Sequence, residues 1–278
     1  MPNCFFDSFE HSIIYAGYIN NIMFRNKDDN RVDINSLKKG FYFENEMKPT
    51  ITDYAYGKEL KAYKFLKHSD PPSFNYWKKN PFSYRINTWG HRGDEPTVGS
   101  AVFLGCSYTW GWGMPEKWAW PWLVANEMGL NVTCLGVPGQ GGDRAAMLAL
   151  GWIRELKPRH VFWLDIFNQR KTWLLDWDDI YMLTHDDSVS SYNKDIKQLQ
   201  KIAVSPAQTW FDIQRNCSTV QHLCNIVGSG YTRCGGEDYC WITEHPERGP
   251  GELLSRDGGN HPSRQEHELI AQWMLDHS

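Results

Sequence analysis

The distribution of apolar residues changes about one third of the way along the chain. Residues 1–90 show no sustained apolar period, and the stretch 67–97 is interrupted by prolines and glycines that are typical of loops. From residue 100 onward, short apolar runs alternate with longer amphipathic stretches. We therefore expect an irregular N-terminal extension, residues 1–99, packed on a core domain formed by residues 100–278.

Four short apolar runs in the second part of the chain predict buried strands. They are AVFLG at 101–105, NVTCLGV at 131–137, HVFWLDIF at 160–167 and YCWITEH at 239–245. Stretches bounded by residues typical of helix starts and ends lie at 115–129, 141–158, 205–228 and 261–278. We expect Asp143 to cap the second of these helices and Pro262 to lie in the first turn of the last. Residues 170–205 are polar and irregular, which predicts an insertion or a lid.

Strands that alternate with helices predict the fold class. The pattern is typical of an α/β protein, here a three-layer α/β/α sandwich with a parallel sheet of flavodoxin-like type. In such sheets, ligands bind at the carboxyl ends of the strands. Candidate functional residues are therefore expected in the segments that follow each strand.

Composition and charge limit the kinds of molecule that this protein is expected to bind. The 278 residues are 41% hydrophobic and 22% charged, and the net charge is −4, which gives no electrostatic reason to expect nucleic acid or an anionic membrane as a partner. No apolar run approaches the ~18 residues that span a bilayer. The N-terminus has no basic segment ahead of an apolar one, as a secretory signal would have. We expect a cytoplasmic protein that acts on a small molecule or glycan, and its oligomeric state is left open.

The cysteines raise the question of a metal site. There are seven, and four of them fall between residues 217 and 240. Their spacing lacks the short Cys-x₂₋₄-Cys pair of zinc knuckles, so we expect no metal. We also expect no disulfides in a chain without a signal peptide, which leaves reduced thiols that behave as small apolar side chains.

The segments after the predicted strands carry the residue types of acyl-transfer chemistry. Ser107 follows the first strand, a glycine-rich turn at 136–143 follows the second, and Asn168 follows the third. The loop RDGGNHPS, residues 256–263, lies between the fourth strand and the last helix. A serine nucleophile needs a histidine base, a carboxylate that orients the histidine, and donors for the oxyanion of the intermediate.

The sequence offers one residue for each of these roles. Ser107 is the candidate nucleophile, His261 the base and Asp257 the carboxylate. The N–H groups of Ser107 and Gly139 and the side-chain amide of Asn168 form the candidate oxyanion hole. The alternative for Ser107 is a turn residue without a catalytic role. Other histidines compete with the candidate base, namely His222, His245 and His267.

This set resembles the SGNH (GDSL-like) hydrolase family. FLGCSYTWGWG at 103–113 is similar to the first block of that family, with Ser107, Thr109 and Gly111 matching. CLGVPG at 134–139, IFNQ at 166–169 and DGGNHP at 257–262 are similar to the later blocks, and INTWGHRGDEP at 86–96 to a lead-in found in some members. The resemblance covers about residues 100–278. The elbow motif of the α/β-hydrolases is absent, because Thr109 stands where its last glycine would be.

Several positions depart from the family pattern. Cys106 replaces an aspartate, and the residues around Asn168 also differ. Asp257 lies four residues before His261 instead of three, with Gly258 at the expected position of the acid. A bulge at the two glycines would restore a triad, whereas without it the site would be a Ser–His dyad. Cys106 is a weak alternative nucleophile, because it points to the opposite side of an extended chain from Ser107.

The resemblance implies a serine esterase that needs no cofactor and no metal. The expected substrate is a short acyl ester of a carbohydrate or other small alcohol, cleaved through an acyl-enzyme. Trp110 and Trp112 follow the serine and are candidates for an aromatic platform that binds substrate, with core packing as the alternative. Two other functions stay open: an acyltransferase that uses the same acyl-enzyme, and a non-catalytic binding or structural module. If this protein is encoded by a phage, association with the virion is the alternative to a cytoplasmic location.

Overall fold

The fold is seen in a computed structural model, which describes residues 37–38, 84–112, 114–166, 170–174, 180–183, 205–244 and 261–278. The strands are β1 (Ala101–Gly105), β2 (Val132–Gly136), β3 (His160–Asp165), β4 (Lys171–Leu174), β5 (Ile180–Leu183) and β6 (Gly230–Gly235). The helices are α1 (Ser107–Trp110), α2 (Trp120–Glu127), α3 (Gly142–Leu156), α4 (Pro206–Val227), α5 (Gly236–Glu244) and α6 (Arg264–Asp276). A 3-10 turn, Glu116–Trp118, precedes α2.

Four of the described strands form a parallel sheet in the order β2-β1-β3-β6. Ala101 at the start of β1 is in register with Val132 of β2 and with His160 of β3. His160 is in turn in register with Gly230 of β6. Because the strands start level and run in the same direction, their carboxyl ends meet at one edge of the sheet.

The two faces of the sheet carry separate apolar cores. Val102 and Leu104 of β1 pack in one core together with residues of α3 and α4, such as Trp152. Ala101 and Phe103 pack in the other core with residues of α2, α5 and α6. This alternation follows from the two-residue period of a strand and gives three layers, helix, sheet and helix. The predicted α/β/α class is therefore confirmed.

The predicted fourth strand was wrong in position. Residues 239–244 do not form a strand, because α5 occupies Gly236–Glu244, and the fourth strand of the sheet is β6, Gly230–Gly235. Tyr239 and Ile242 pack on the same core, which is the three-residue spacing of a helix face. The apolar run was thus interpreted with the wrong period.

The stretch 170–205 is not irregular throughout. Strands β4 and β5 pair antiparallel, with Lys171 opposite Leu183 and Leu174 opposite Ile180. Residues 184–204 lie outside the described residues, so the lid stays a prediction.

Two helix starts differ from the prediction. The N-cap of α3 is Gly141, so Asp143 lies inside the first turn, where its carboxylate accepts hydrogen bonds from α4. The N-cap of α6 is Ser263, whose hydroxyl accepts from the N–H of Glu266 in a reciprocal capping box. Pro262 therefore precedes the helix instead of lying in its first turn.

A short part of the predicted N-terminal extension contacts the core domain. Leu37 and Lys38 are buried. The carbonyl oxygen of Lys38 accepts hydrogen bonds from His91 Nε2 at 2.6 Å and from Trp152 Nε1 at 3.0 Å, and its ammonium group pairs with Glu155. Residues 1–36 and 39–83 lie outside the described residues. Nowhere in the described part of the chain is a helix long and apolar enough to cross a membrane.

Candidate active site

Ser107 lies at the carboxyl edge of the sheet, where β1 turns sharply into α1. Gly105 has a φ of +150°, and a Cβ there would collide with Thr109 Oγ1 and lie 2.9 Å from the carbonyl oxygen of Leu164. The Thr109 hydroxyl donates to the carbonyl of Leu104 at 3.3 Å, which closes the corner. Ser107, at the first position of the helical turn, is 5% exposed. The corner is therefore rigid and presents the serine beside the end of the sheet.

The glycine-rich turn after β2 lies next to the serine corner. The N–H of Val137 donates to the carbonyl of Gly105 at 3.0 Å, which joins the two strand ends. A tight turn follows, in which the N–H of Gln140 donates to the carbonyl of Val137 and Gly139 adopts a φ of +78°. A side chain would strain that conformation, so glycine is the favoured residue there. Gly139 and Ser107 thus follow neighbouring strands at the same edge.

His261 reaches the serine turn from the other end of the chain. Its half-buried ring lies 5.6 Å, centroid to centroid, from Tyr108, the residue after Ser107. It also stacks on Trp112 at 6.1 Å with 26° between the ring planes. The capped start of α6, two residues further on, fixes the chain on which His261 is carried. The predicted base therefore packs on the residues that follow the predicted nucleophile, although His261 and Ser107 are 154 positions apart in the sequence.

The competing histidines are less suited to act as a base. His267 is fully buried, and its Nδ1 accepts a hydrogen bond from the backbone N–H of Trp120 at 3.3 Å. Burial, together with the nearby Arg92 and His261, lowers the pKa of His267 to about 3, so its ring is neutral. His222 is exposed on α4, and His245 lies outside the described residues. His261 is thus better suited to act as the base than His222 or His267.

Cys106 has the environment of a capping residue. The thiol is 3% exposed, and its sulfur accepts the N–H of Tyr108 at 3.5 Å, as an N-cap side chain does. Burial raises the pKa of the Cys106 thiol above its ordinary value. Since a protonated thiol is a poor nucleophile, this position favours Ser107 as the attacking group.

Two of the predicted site residues, Asp257 and Asn168, lie outside the described residues. The segments that flank Asn168 are nevertheless anchored. Asp165, at the end of β3, accepts hydrogen bonds from Arg233 at 2.7 and 3.1 Å. On the other side, Lys171 forms a buried ion pair with Asp212 of α4 at 2.7 Å.

A hydroxyl on β4 connects this region to the glycine turn. Thr172 Oγ1 donates to Gln140 Oε1 at 2.8 Å, and the N–H of Thr172 donates to Asp143 Oδ2 at 3.3 Å. Gln140 follows Gly139 directly, and Thr172 follows Asn168 by four residues. Sequence reasoning missed this connection, because neither residue type carries a catalytic signature.

The two tryptophans after the serine have different environments. Trp110 is 1% exposed and packs against Tyr84 at 4.4 Å, so its ring belongs to the core. Trp112 is half-buried and lies between Trp110 and His261. Of the two predicted substrate contacts, only Trp112 has a partly accessible ring.

Two of the cysteines that are close in sequence lie on opposite faces of the sheet. Cys224 packs in the core on one face of the sheet and Cys234 in the core on the other face. Burial raises the pKa of each thiol to about 12, so both are protonated. The described residues contain no group of His, Cys, Asp and Glu side chains arranged to hold a metal ion.

Comparisons with known proteins give a remote similarity. No family model matches the chain, and no curated protein matches it. Among solved structures, the chain is similar to the psychrotrophic esterase EstA from a Pseudoalteromonas species, with 12% identity, a TM-score of 0.32, and coverage of 64% of this chain and 96% of that one. It is also similar to a member of the lipolytic protein G-D-S-L family from Veillonella parvula, with 12% identity, a TM-score of 0.33, and coverage of 64% and 96%. At this level of similarity, the activities of those proteins are not evidence for an activity of this chain.

Proposed function

We propose that this protein is a serine esterase with an SGNH-type site. Ser107 Oγ attacks the carbonyl carbon of the ester while His261 accepts the hydroxyl proton. The N–H groups of Ser107 and Gly139 and the amide of Asn168 stabilise the oxyanion. Asp257 orients the imidazole and stabilises its protonated form.

The reaction then proceeds through an acyl-enzyme. Collapse of the first tetrahedral intermediate breaks the bond to the alcohol, which leaves with the proton from His261. Water enters and gives a proton to the same imidazole as it attacks the acyl carbonyl. Breakdown of the second intermediate releases the carboxylic acid and returns the proton to Ser107. No cofactor or metal is required in this sequence of steps.

One observation carries the proposal. The ring of His261 packs against Tyr108, the second residue of the helical turn that begins at Ser107, and against Trp112, which follows that turn. A histidine whose ring packs on the residues that follow a buried serine, beside a glycine turn at the carboxyl edge of a parallel sheet, supports acyl transfer over a structural role. The half-buried ring of Trp112 is consistent with our proposal that the substrate is small and carries a short acyl group on a carbohydrate or other small alcohol.

The test is a screen of p-nitrophenyl esters from acetate to palmitate, combined with labelling by a fluorophosphonate probe. We expect activity on the short esters and covalent labelling of Ser107. Ser107→Ala should abolish labelling and lower kcat by at least ~10³-fold with the fold intact.

Ser229→Ala is a matched control, because Ser229 precedes β6 at the opposite end of the sheet. It should keep both labelling and activity. Undiminished hydrolysis by Ser107→Ala would refute the mechanism, and a protein that neither labels nor hydrolyses any ester would favour a binding module. An acyl-enzyme that forms but turns over only when a sugar acceptor is added would favour the acyltransferase.

A further inference from the structure

Arg92 holds the loop after the candidate nucleophile by its backbone. The side chain is 1% exposed. Its Nη1 donates to the carbonyls of Trp110 and Gly111 at 2.7 and 2.6 Å, and its Nη2 donates to the carbonyl of Met114 at 2.6 Å. Three backbone oxygens of one loop thus converge on a single guanidinium group.

The burial of the Arg92 charge costs folding free energy, which is unexpected for a residue whose only role is to stabilise the fold. None of the described carboxylates forms an ion pair with Arg92, and burial lowers the pKa of its guanidinium. The rings of Tyr84, Trp110 and Trp122 surround the cation at 4.5 to 5.1 Å, which offsets part of the desolvation cost. A buried cation without a counter-ion remains expensive, whereas an apolar side chain would fill the same space at a lower cost.

The loop that Arg92 holds begins at the nucleophile. The N–H groups of Gly111 and Trp112 both donate to the carbonyl of Ser107, at 2.9 and 3.0 Å. Gly111 adopts a φ of +75°, and a Cβ there would lie 2.7 Å from Arg92 Nη1, so the guanidinium fits only against a glycine. The loop is therefore fixed on one side by the serine backbone and on the other by Arg92.

The same loop carries the aromatic ring that contacts the candidate base. Trp112 follows the two carbonyls bound by Nη1, and its ring stacks on His261. A change in the path of the loop would move the serine turn and the ring against the histidine together. Displacements of about 1 Å between reacting groups can lower a rate by about 10²-fold.

We propose that Arg92 is a positioning residue, which sets the placement of Trp112 and through it the distance between His261 and Ser107. This inference rests on the proposed function, because it concerns the same nucleophile and base. Arg92 does not touch the substrate, so its loss should lower the rate of acylation more than it weakens substrate binding at the Trp112 ring.

A double-mutant cycle with Arg92→Lys and Trp112→Leu tests the proposal. The readouts are kcat, KM and the rate of fluorophosphonate labelling, which requires no contact with the alcohol of a substrate. Arg92→Lys keeps the charge but loses the fork that binds three carbonyls. We expect it to slow labelling and kcat by about 10- to 100-fold, with KM changed less than about threefold.

The coupling between the two sites decides the outcome. If Arg92 acts through Trp112, the double variant should be no slower than about twice the slower single variant. Losses that multiply, or a change in KM alone, would overturn the proposal. Arg154→Lys, on the exposed face of α3, should match the wild type.

A second variant covers the case in which Arg92→Lys does not fold. Tyr84→Leu removes one ring from the guanidinium and leaves its hydrogen bonds in place, and it should show the same coupling to Trp112→Leu. Ser107→Ala distinguishes the two levels of failure. If Ser107 is not labelled in the wild type, the proposed function fails. If it is labelled but Arg92 and Trp112 act independently, only the positioning role fails.

Discussion

Thr109 and Gly111 show that a residue in a motif can be required for the fold alone. The Thr109 hydroxyl closes the corner after β1, and Gly111 leaves room for the Arg92 guanidinium. Both match the first block of the SGNH family, yet packing explains each of them. The support for chemistry therefore comes from the packing of His261 on the residues that follow Ser107, and not from the motif as a whole.

The sequence predicted the part of the candidate site that lies just after the ends of the strands. Ser107 and Gly139 follow buried strands directly, so the sheet topology brings them to one edge. His261 was identified by residue type and by resemblance, and its contact with Tyr108 agrees with that role. Arg92 lies in the lead-in at 86–96, but it was not predicted as a site residue, because its partners are backbone carbonyls that have no signature in the sequence.

Asp257 is the residue at which the sequence departs most from the family pattern. If the two glycines after it form a bulge, its carboxylate reaches the imidazole N–H of His261, and Asp257→Asn then favours the wrong tautomer. We expect kcat to fall by up to ~10⁴-fold for this variant, with little change in the unfolding transition. Steady-state hydrolysis of the best p-nitrophenyl ester measures the effect.

The same variant identifies a dyad. If another group orients His261, Asp257→Asn should cost less than about tenfold in kcat. His261→Ala should be severely impaired in either case, because Ser107 then has no base. An Asp257→Asn variant with a small loss, beside an inactive His261→Ala, would contradict the triad.

At the scale of elements, the errors in strand assignment have a common physical cause. Strand β6, GYTRCG, contains two glycines and an arginine, and it is a strand because β3 supplies a partner for each of its residues. The run at 239–245 is more apolar, but Tyr239 and Ile242 face the core with helical spacing. Tertiary contacts therefore outweighed local propensity at both places, through strand pairing at β6 and through helix packing on the core at 239–244. The first three strands were predicted correctly because their apolar runs are bounded and buried on both faces.

The contact between β4 and the glycine turn gives a prediction at this scale. Thr172→Val removes the hydroxyl that donates to Gln140 and leaves a buried amide oxygen without its donor, at a cost of about 1–3 kcal/mol of stability. Because Gln140 follows Gly139, we expect a further loss in kcat of about tenfold. The loss should be smaller in an Asn168→Ala background, where one oxyanion donor is already missing.

Thr133→Val is the matched control for this prediction. Thr133 also forms a buried hydroxyl contact, with Ser100 at 2.8 Å, but at the amino edge of the sheet. It should lose a similar amount of stability in urea unfolding and keep its kcat. Equal kinetic losses in the two valine variants would mean that the Thr172 contact stabilises the fold without affecting the site.

At the scale of the whole molecule, buried histidines link folding to pH, and His91 and His267 are the most deeply buried of those described. His91 donates a hydrogen bond to the Lys38 carbonyl, and His267 accepts one from Trp120. Burial lowers the pKa of His91 to about 4 and that of His267 to about 3, from an ordinary value of 6.5. At pH values between 6.5 and the lowered pKa of each histidine, the unfolded chain binds a proton that the folded protein does not. The free energy of unfolding therefore decreases as the pH falls below 6.5.

His267→Asn isolates one of these contributions, since the asparagine oxygen can still accept from the Trp120 N–H. Each proton bound only by the unfolded state changes stability by about 1.4 kcal/mol per pH unit. We expect the wild type to lose about 2 kcal/mol more than His267→Asn between pH 7 and pH 5, even though the variant is less stable at pH 7. Urea unfolding at the two pH values measures the difference, and the carboxylates cancel because both proteins share them. His222→Asn, on the exposed face of α4, should retain the pH dependence of the wild type. An identical pH dependence in His267→Asn and the wild type would mean that His267 becomes protonated in the folded protein, in which case its contact with Trp120 cannot persist at pH 5.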